Sequence, residues 1–246
     1  MSTLIKPTER PPRREPSVRW NLFEVVLVYA VIYVLGMVYN LFVDFLFERF
    51  GEGWSDTAGT KFFIVSIVVE AVSLLLALWY VVVVRHHGSL REVGFTARAW
   101  PWQVAYGVLA GVGIFVLVYA TDMVTLWLAG PRSSPHPLVD LVTAARAPRE
   151  LFYPFLLGSL LVPVSEESYF RGFAYPALRD RVGRPTAMLL VSVFFALIHL
   201  DPWGFPALVL AGLALVWLYE RTGAIWPPII AHAIWNAAVT ALAYLG

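Results

Sequence analysis

The sequence predicts an all-α membrane protein, a polytopic helical bundle of about seven spans (six to eight) with its N-terminus on the cytoplasmic side. Three observations predict it. Of the 246 residues 59% are hydrophobic and 14% charged, and the mean hydropathy is +0.69, against roughly 45–50% and about 25% in soluble domains. Long stretches also lack ionisable side chains, at the roughly 20-residue length that a spanning helix needs. Finally, Lys and Arg segregate. With the N-terminus inside, thirteen of the eighteen fall in the tail or in cytoplasmic connections, as the positive-inside rule requires.

Residues 1–20, rich in Pro and Arg, read as a disordered cytoplasmic tail. The apolar run that follows is too long for a secretory signal and reads as a retained anchor. The N-terminal membrane helices, within residues 21–130, come from runs at 25–43, at 62–84 with only Glu70 inside, and at 102–121, extended past Asp122 to 129. Residues 131–150, with Pro131, Pro135, Pro137 and Pro148, read as a loop. A C-terminal core, 151–246, carries runs at 151–165, 186–200, 202–219 and 222–246, the first two short. Trp54, Trp100, Trp102, Trp203 and Trp226 lie near span ends, where amphipathic rings suit the headgroup level.

Composition also excludes functions. Eighteen basic against seventeen acidic residues give a net charge of +1, too little field to hold a nucleic-acid backbone. The chain has no Cys, so thiolate zinc sites, disulfides, iron–sulfur clusters and a Cys nucleophile are ruled out. Catalysis would fall to carboxylates, imidazoles and hydroxyls.

Ionisable groups inside a bilayer are functional candidates by default because burying them there is costly. One set lies in the C-terminal core. Glu167 and Arg171 are four apart with the acid first, the favourable order for an ion pair on one helix face. Glu166, about 100° further round the helix, is left free to meet another helix. His232 and Asn236 share a face at i, i+4, as do Phe195 and His199, so a helix crossing can gather an acid, two imidazoles and an amide. Such a pocket can activate water and hold an oxyanion. Singly, a buried His or an i, i+4 pair is more often structural. Here they cluster within residues 166–236, whereas His86, His87 and His136 fall in loops. The second set is Glu24 and Asp44, expected to reach the interface, Asp122, expected to do so or to face the bundle, and Glu70, deepest of all, which reads as a protonated or hydrogen-bonded structural carboxyl. Depth raises one difficulty. His232 and His199 differ by roughly 7 Å in distance from the cytoplasmic end at 1.5 Å per residue, so convergence needs tilt or a re-entrant piece, for which 172–185 is the candidate.

At these residues the sequence resembles the CPBP family of intramembrane proteases, which includes CAAX prenyl endopeptidases and bacteriocin-processing or immunity proteins. The motifs are Glu166-Glu167-x-x-x-Arg171 followed by Gly172, then Phe195-x-x-x-His199, then His232-x-x-x-Asn236. A weaker echo is Leu90-Arg91-Glu92-Val93-Gly94-Phe95. The resemblance covers the region from about Leu151 onward. It implies a helical membrane fold with an active site inside the bilayer, cutting a membrane peptide or a lipidated, CAAX-type protein. It further implies that Glu166 and His199 activate water, that His232 and Asn236 stabilise the oxyanion, and that Glu167, Arg171 and Phe195 support them. No cofactor is favoured. The alternative is zinc on Glu166, His199 and His232, against which stand the amide of Asn236, better suited to an oxyanion, and the lack of a His-Glu-x-x-His helix. The competing functions are a proton- or ion-coupled transporter and a catalytically silent immunity-type protein. The expected location is a bacterial cytoplasmic membrane.

Overall fold

The computed structural model describes residues 17–51, 58–130, 142–143 and 151–245. The expected tail up to residue 16 and nearly all of the expected loop at 131–150 lie outside the described residues. The described chain forms seven helices: α1 (Leu22–Phe50), α2 (Ala58–Trp79, continued by the π-helical Tyr80–Arg85), α3 (Trp100–Ala129), α4 (152–182), α5 (Arg184–Ile198), α6 (Phe205–Thr222) and α7 (Trp226–Leu245). Of these, α1, α2, α3, α6 and α7 are long and apolar enough to cross a membrane. The protein is an integral, multi-pass helical bundle.

The start of α1 is written in its sequence. Asn21 Oδ1 accepts the backbone N–H groups of Phe23 and Glu24, and the Glu24 carboxylate accepts that of Asn21, a reciprocal capping box. Glu24 does not reach out to the interface as expected. It is 5% exposed and takes Arg85 Nε at 2.7 Å and His86 Nε2 at 2.9 Å, because the end of α2 delivers both groups beside the first turn of α1. Residues 17–20 also depart from a disordered tail. Trp20 is buried, donates its indole N–H to the Phe173 carbonyl and stacks on the Phe173 ring, while Ser17 binds Asp180. The segment is pinned to α4.

α4 is the axis of the fold. It contains two π-helical stretches, Leu157–Leu161 and Ser168–Ala174, and each is followed within two residues by a proline, Pro163 and Pro176. A π turn already shifts the hydrogen-bond ladder, so the missing proline N–H falls where the regular pattern is broken and the helix continues. Segment 172–185 is therefore not an irregular piece. It stays helical to Val182 and turns only at Gly183, whose φ of +80° a side chain would resist. Residues 168–177 are buried throughout. The 88–98 connection locks this end of α4. Gly94 O accepts Ile225 N–H at 2.9 Å, Val93 O accepts the Tyr219 hydroxyl, and Val93 packs on Gly172, where a Cβ would collide with it. The motif glycine is thus a close-approach residue.

α3 packs on α7 through small residues one turn apart. A Cβ on Gly107 would lie 2.7 Å from Ile230 Cβ, and one on Gly111 2.9 Å from Ile234 Cβ, the close backbone approach that small residues permit between membrane helices. Gly111→Leu is expected to lower stability by about 1–3 kcal/mol through overpacking. A detergent Tm equal to wild type would contradict the contact.

Candidate active site

Glu167 sits at the end of the α-helical piece Val162–Glu167, and Arg171 lies one turn on, within the following π stretch. Both side chains are 0% exposed, and Arg171 Nη1 donates to Glu167 Oε1 at 2.7 Å. The guanidinium also donates to the Gly212 carbonyl at 3.3 Å and lies 4.7 Å from the centre of the Phe195 ring. The ion pair expected from the i, i+4 spacing is present and fully enclosed.

The same oxygen of Glu167 has a second partner, on another helix. His232 Nδ1, from α7, lies 2.8 Å from Glu167 Oε1. A carboxylate paired with Arg171 only accepts, so Nδ1 carries the hydrogen and Nε2 is the ring nitrogen left over. That nitrogen lies 4.0 Å from Glu166 Oε2, beyond direct hydrogen-bond length and suited to a bridging water. The imidazole is held from its faces as well. Trp235 stacks on it at 5.2 Å and the Phe195 ring meets it edge-on at 5.9 Å.

Glu166 points the other way. Its side chain is 21% exposed, yet Oε2 is buried and has no hydrogen-bond partner among the described residues. It lines a cavity of about 90 Å³ with Ser165 and Phe170 of α4, Tyr29 of α1, Glu70 of α2 and Ile198 of α5 among its walls.

Phe195 is the hinge between the two histidines. Its ring is 4.7 Å from that of His199, and its carbonyl accepts His199 Nδ1–H at 2.7 Å, leaving Nε2 of His199 open. His199 caps the C-terminal end of α5 and hydrogen-bonds none of Glu166, His232 or Asn236 among the described residues. Asn236, one turn beyond His232, donates to the Gly158 carbonyl at 2.8 Å, a carbonyl in the first π stretch of α4. One amide hydrogen remains. The structure therefore gathers Glu167, Arg171, Phe195 and His232, places Glu166 Oε2 4.0 Å from His232 Nε2, sets His199 behind Phe195, and ties Asn236 to the helix that bears the two glutamates.

Among the described residues no three His, Cys, Asp or Glu side chains gather as a metal ion would require, and Glu166, His199 and His232 do not form a ligand cluster. Two contacts had no sequence signal of their own: Gly158 as partner of Asn236, and Trp235 against His232, three residues along the same helix.

Two comparisons bear on this site. Residues 148–238 match the family described as Type II CAAX prenyl endopeptidase Rce1-like. Over 84 residues the chain is 33% identical to the Bacillus subtilis (strain 168) protein named "Putative membrane peptidase YdiL", an alignment covering 34% of each chain. The chain thus spans about a third of the length of the curated relative it matches. No solved structure matches. The matched residues include the motif residues from Glu166 to Asn236, whereas the weaker echo at 90–95 lies outside them.

Proposed function

From the similarity of residues 148–238 to type II CAAX prenyl endopeptidases, we propose that this chain is an intramembrane endopeptidase of a bacterial cytoplasmic membrane. It hydrolyses a peptide bond in a membrane-embedded or lipidated substrate. The observation that carries the reading is the division of labour between adjacent glutamates. Glu167 is held through Oε1 by both Arg171 and His232, its Oε2 being enclosed without a partner among the described residues, while Glu166 has no such anchor, lies 4.0 Å from His232 Nε2 and lines a cavity.

Glu166 takes a proton from a water in that cavity as the water oxygen attacks the scissile carbonyl carbon. The open Nε2 of His199 is assigned the second contact to this water. Negative charge develops on the carbonyl oxygen, which the free amide hydrogen of Asn236 and the imidazole of His232 are assigned to stabilise. Glu167 then serves the chemistry at one remove, because its carboxylate holds and orients His232 by Nδ1. Collapse of the intermediate breaks the C–N bond, and the proton held by Glu166 goes to the leaving amine. No step is routed through a metal.

The test is cleavage of a fluorogenic lipidated peptide by the purified full chain in detergent, with and without a strong chelator. Cleavage at equal rates in both is expected. Loss on chelation with rescue by zinc would contradict the metal-free assignment, and a folded protein that cuts no member of a broad peptide panel would contradict the peptidase reading.

A further inference from the structure

We propose that the cavity beside Glu166 is a subsite for a substrate side chain, and that Glu70 selects a lysine or arginine there. The inference rests on the endopeptidase reading and adds its specificity.

Glu70 was expected to be a protonated or hydrogen-bonded structural carboxyl. No described residue hydrogen-bonds it, and it is exposed, at the wall of the cavity that Glu166 also lines. It sits mid-helix in α2, among Val68, Val69, Ala71 and Val72. A carboxyl at that depth is poorly tolerated without a partner, and none of the described residues hydrogen-bonds it or pairs with it. Among the described residues no Lys or Arg lines the cavity. Arg171 belongs to Glu167 and the Gly212 carbonyl, and of the two basic residues on α2 Arg85 belongs to Glu24 at the end of its helix, while Lys61 stands nine residues, about 13 Å of helix, before Glu70.

The rest of the lining describes the missing partner. Ile67, Ala71, Leu74, Val162, Phe170 and Ile198 make the walls apolar, while Glu70, Glu166, Ser165 and Tyr29 place oxygen atoms on them. An occupant that matches has an apolar stem and a cationic head, the form of lysine and arginine side chains. Position agrees with this. A scissile carbonyl placed at Glu166 puts the side chain of an adjoining residue against the same cavity. A basic residue entering the bilayer would meet its counter-charge there, so Glu70 reads charge at the point of cleavage.

The test uses fluorogenic membrane peptides that differ at one residue, with lysine, norleucine or glutamate placed in turn on each side of the scissile bond. Wild type is compared with Glu70→Gln and Glu70→Lys. Wild type is expected to favour the lysine peptide at one position by about tenfold or more in kcat/KM, the factor that a hydrogen bond to a charged group supplies. Glu70→Gln is expected to bring that ratio to about one, chiefly through KM, and Glu70→Lys to turn the preference toward glutamate. Equal rates in wild type at both positions, or a lysine preference that survives in Glu70→Gln, would overturn the proposal. A binding arm separates it from the peptidase reading. Fluorescence anisotropy of the same peptides on Glu166→Gln protein is expected to give the same order of affinities, lost when Glu70→Gln is added. If wild type cleaves no peptide, the peptidase reading fails, and lysine binding indifferent to Glu70 overturns the subsite as well.

Discussion

Arg171→Met is expected to destabilise the protein by about 3–5 kcal/mol, the effect of leaving one member of an enclosed ion pair without its partner. Both side chains are 0% exposed, so no solvent can replace the guanidinium. Three contacts go at once: the 2.7 Å bond to Glu167, the bond to the Gly212 carbonyl that ties α4 to α6, and the packing over Phe195. Methionine fills much of the volume, so the loss reports charge more than cavity. Adding Glu167→Gln is expected to recover part of the stability, because the orphaned charge is then removed, although His232 loses a charged partner. Unfolding in detergent by heat or denaturant measures both variants, and an Arg171→Met protein as stable as wild type would contradict the enclosed pair.

Glu166→Gln is expected to lower the cleavage rate by about 10²- to 10⁴-fold, the range for loss of a positioned general base, with Tm close to wild type. The amide keeps the shape of the side chain, and the oxygen it alters has no protein hydrogen bond to lose among the described residues. Glu167→Gln is expected to lose stability and rate together, since that carboxylate holds Arg171 and His232 in one bifurcated contact. Rates and Tm values from matched preparations separate the two. A Glu167→Gln protein that is stable and inactive beside an active Glu166→Gln protein would reverse the assignment.

Local periodicity made much of this site legible. The Glu167–Arg171 pair and the turning away of Glu166 both follow from 3.6 residues per turn, and the geometry agrees: the pair is formed, and Glu166 lines a cavity with residues of α1 and α2. The crossings of helices were not legible. That Glu167 Oε1 also takes His232 depends on where α7 passes α4, and no spacing within either segment encodes it. The continuity of α4 was hidden for a different reason. Pro176 and Gly172 argue for a break in a regular α-helix, whereas a π stretch absorbs the proline and Val93 occupies the space over the glycine. The burial of Glu24 has no local signal, because its partners, Arg85 and His86, lie about sixty residues away on the end of another helix.

The central claim is that Glu166 activates a water molecule which attacks the scissile carbonyl. Single-turnover hydrolysis in ¹⁸O-labelled water, followed by mass spectrometry of the peptide products and of the protein fragment containing Glu166, tests it most directly. One ¹⁸O in the new C-terminal carboxylate of the product and none in Glu166 is the expected result. Label appearing in the Glu166 side chain would show that the carboxylate itself had attacked, and would contradict the account.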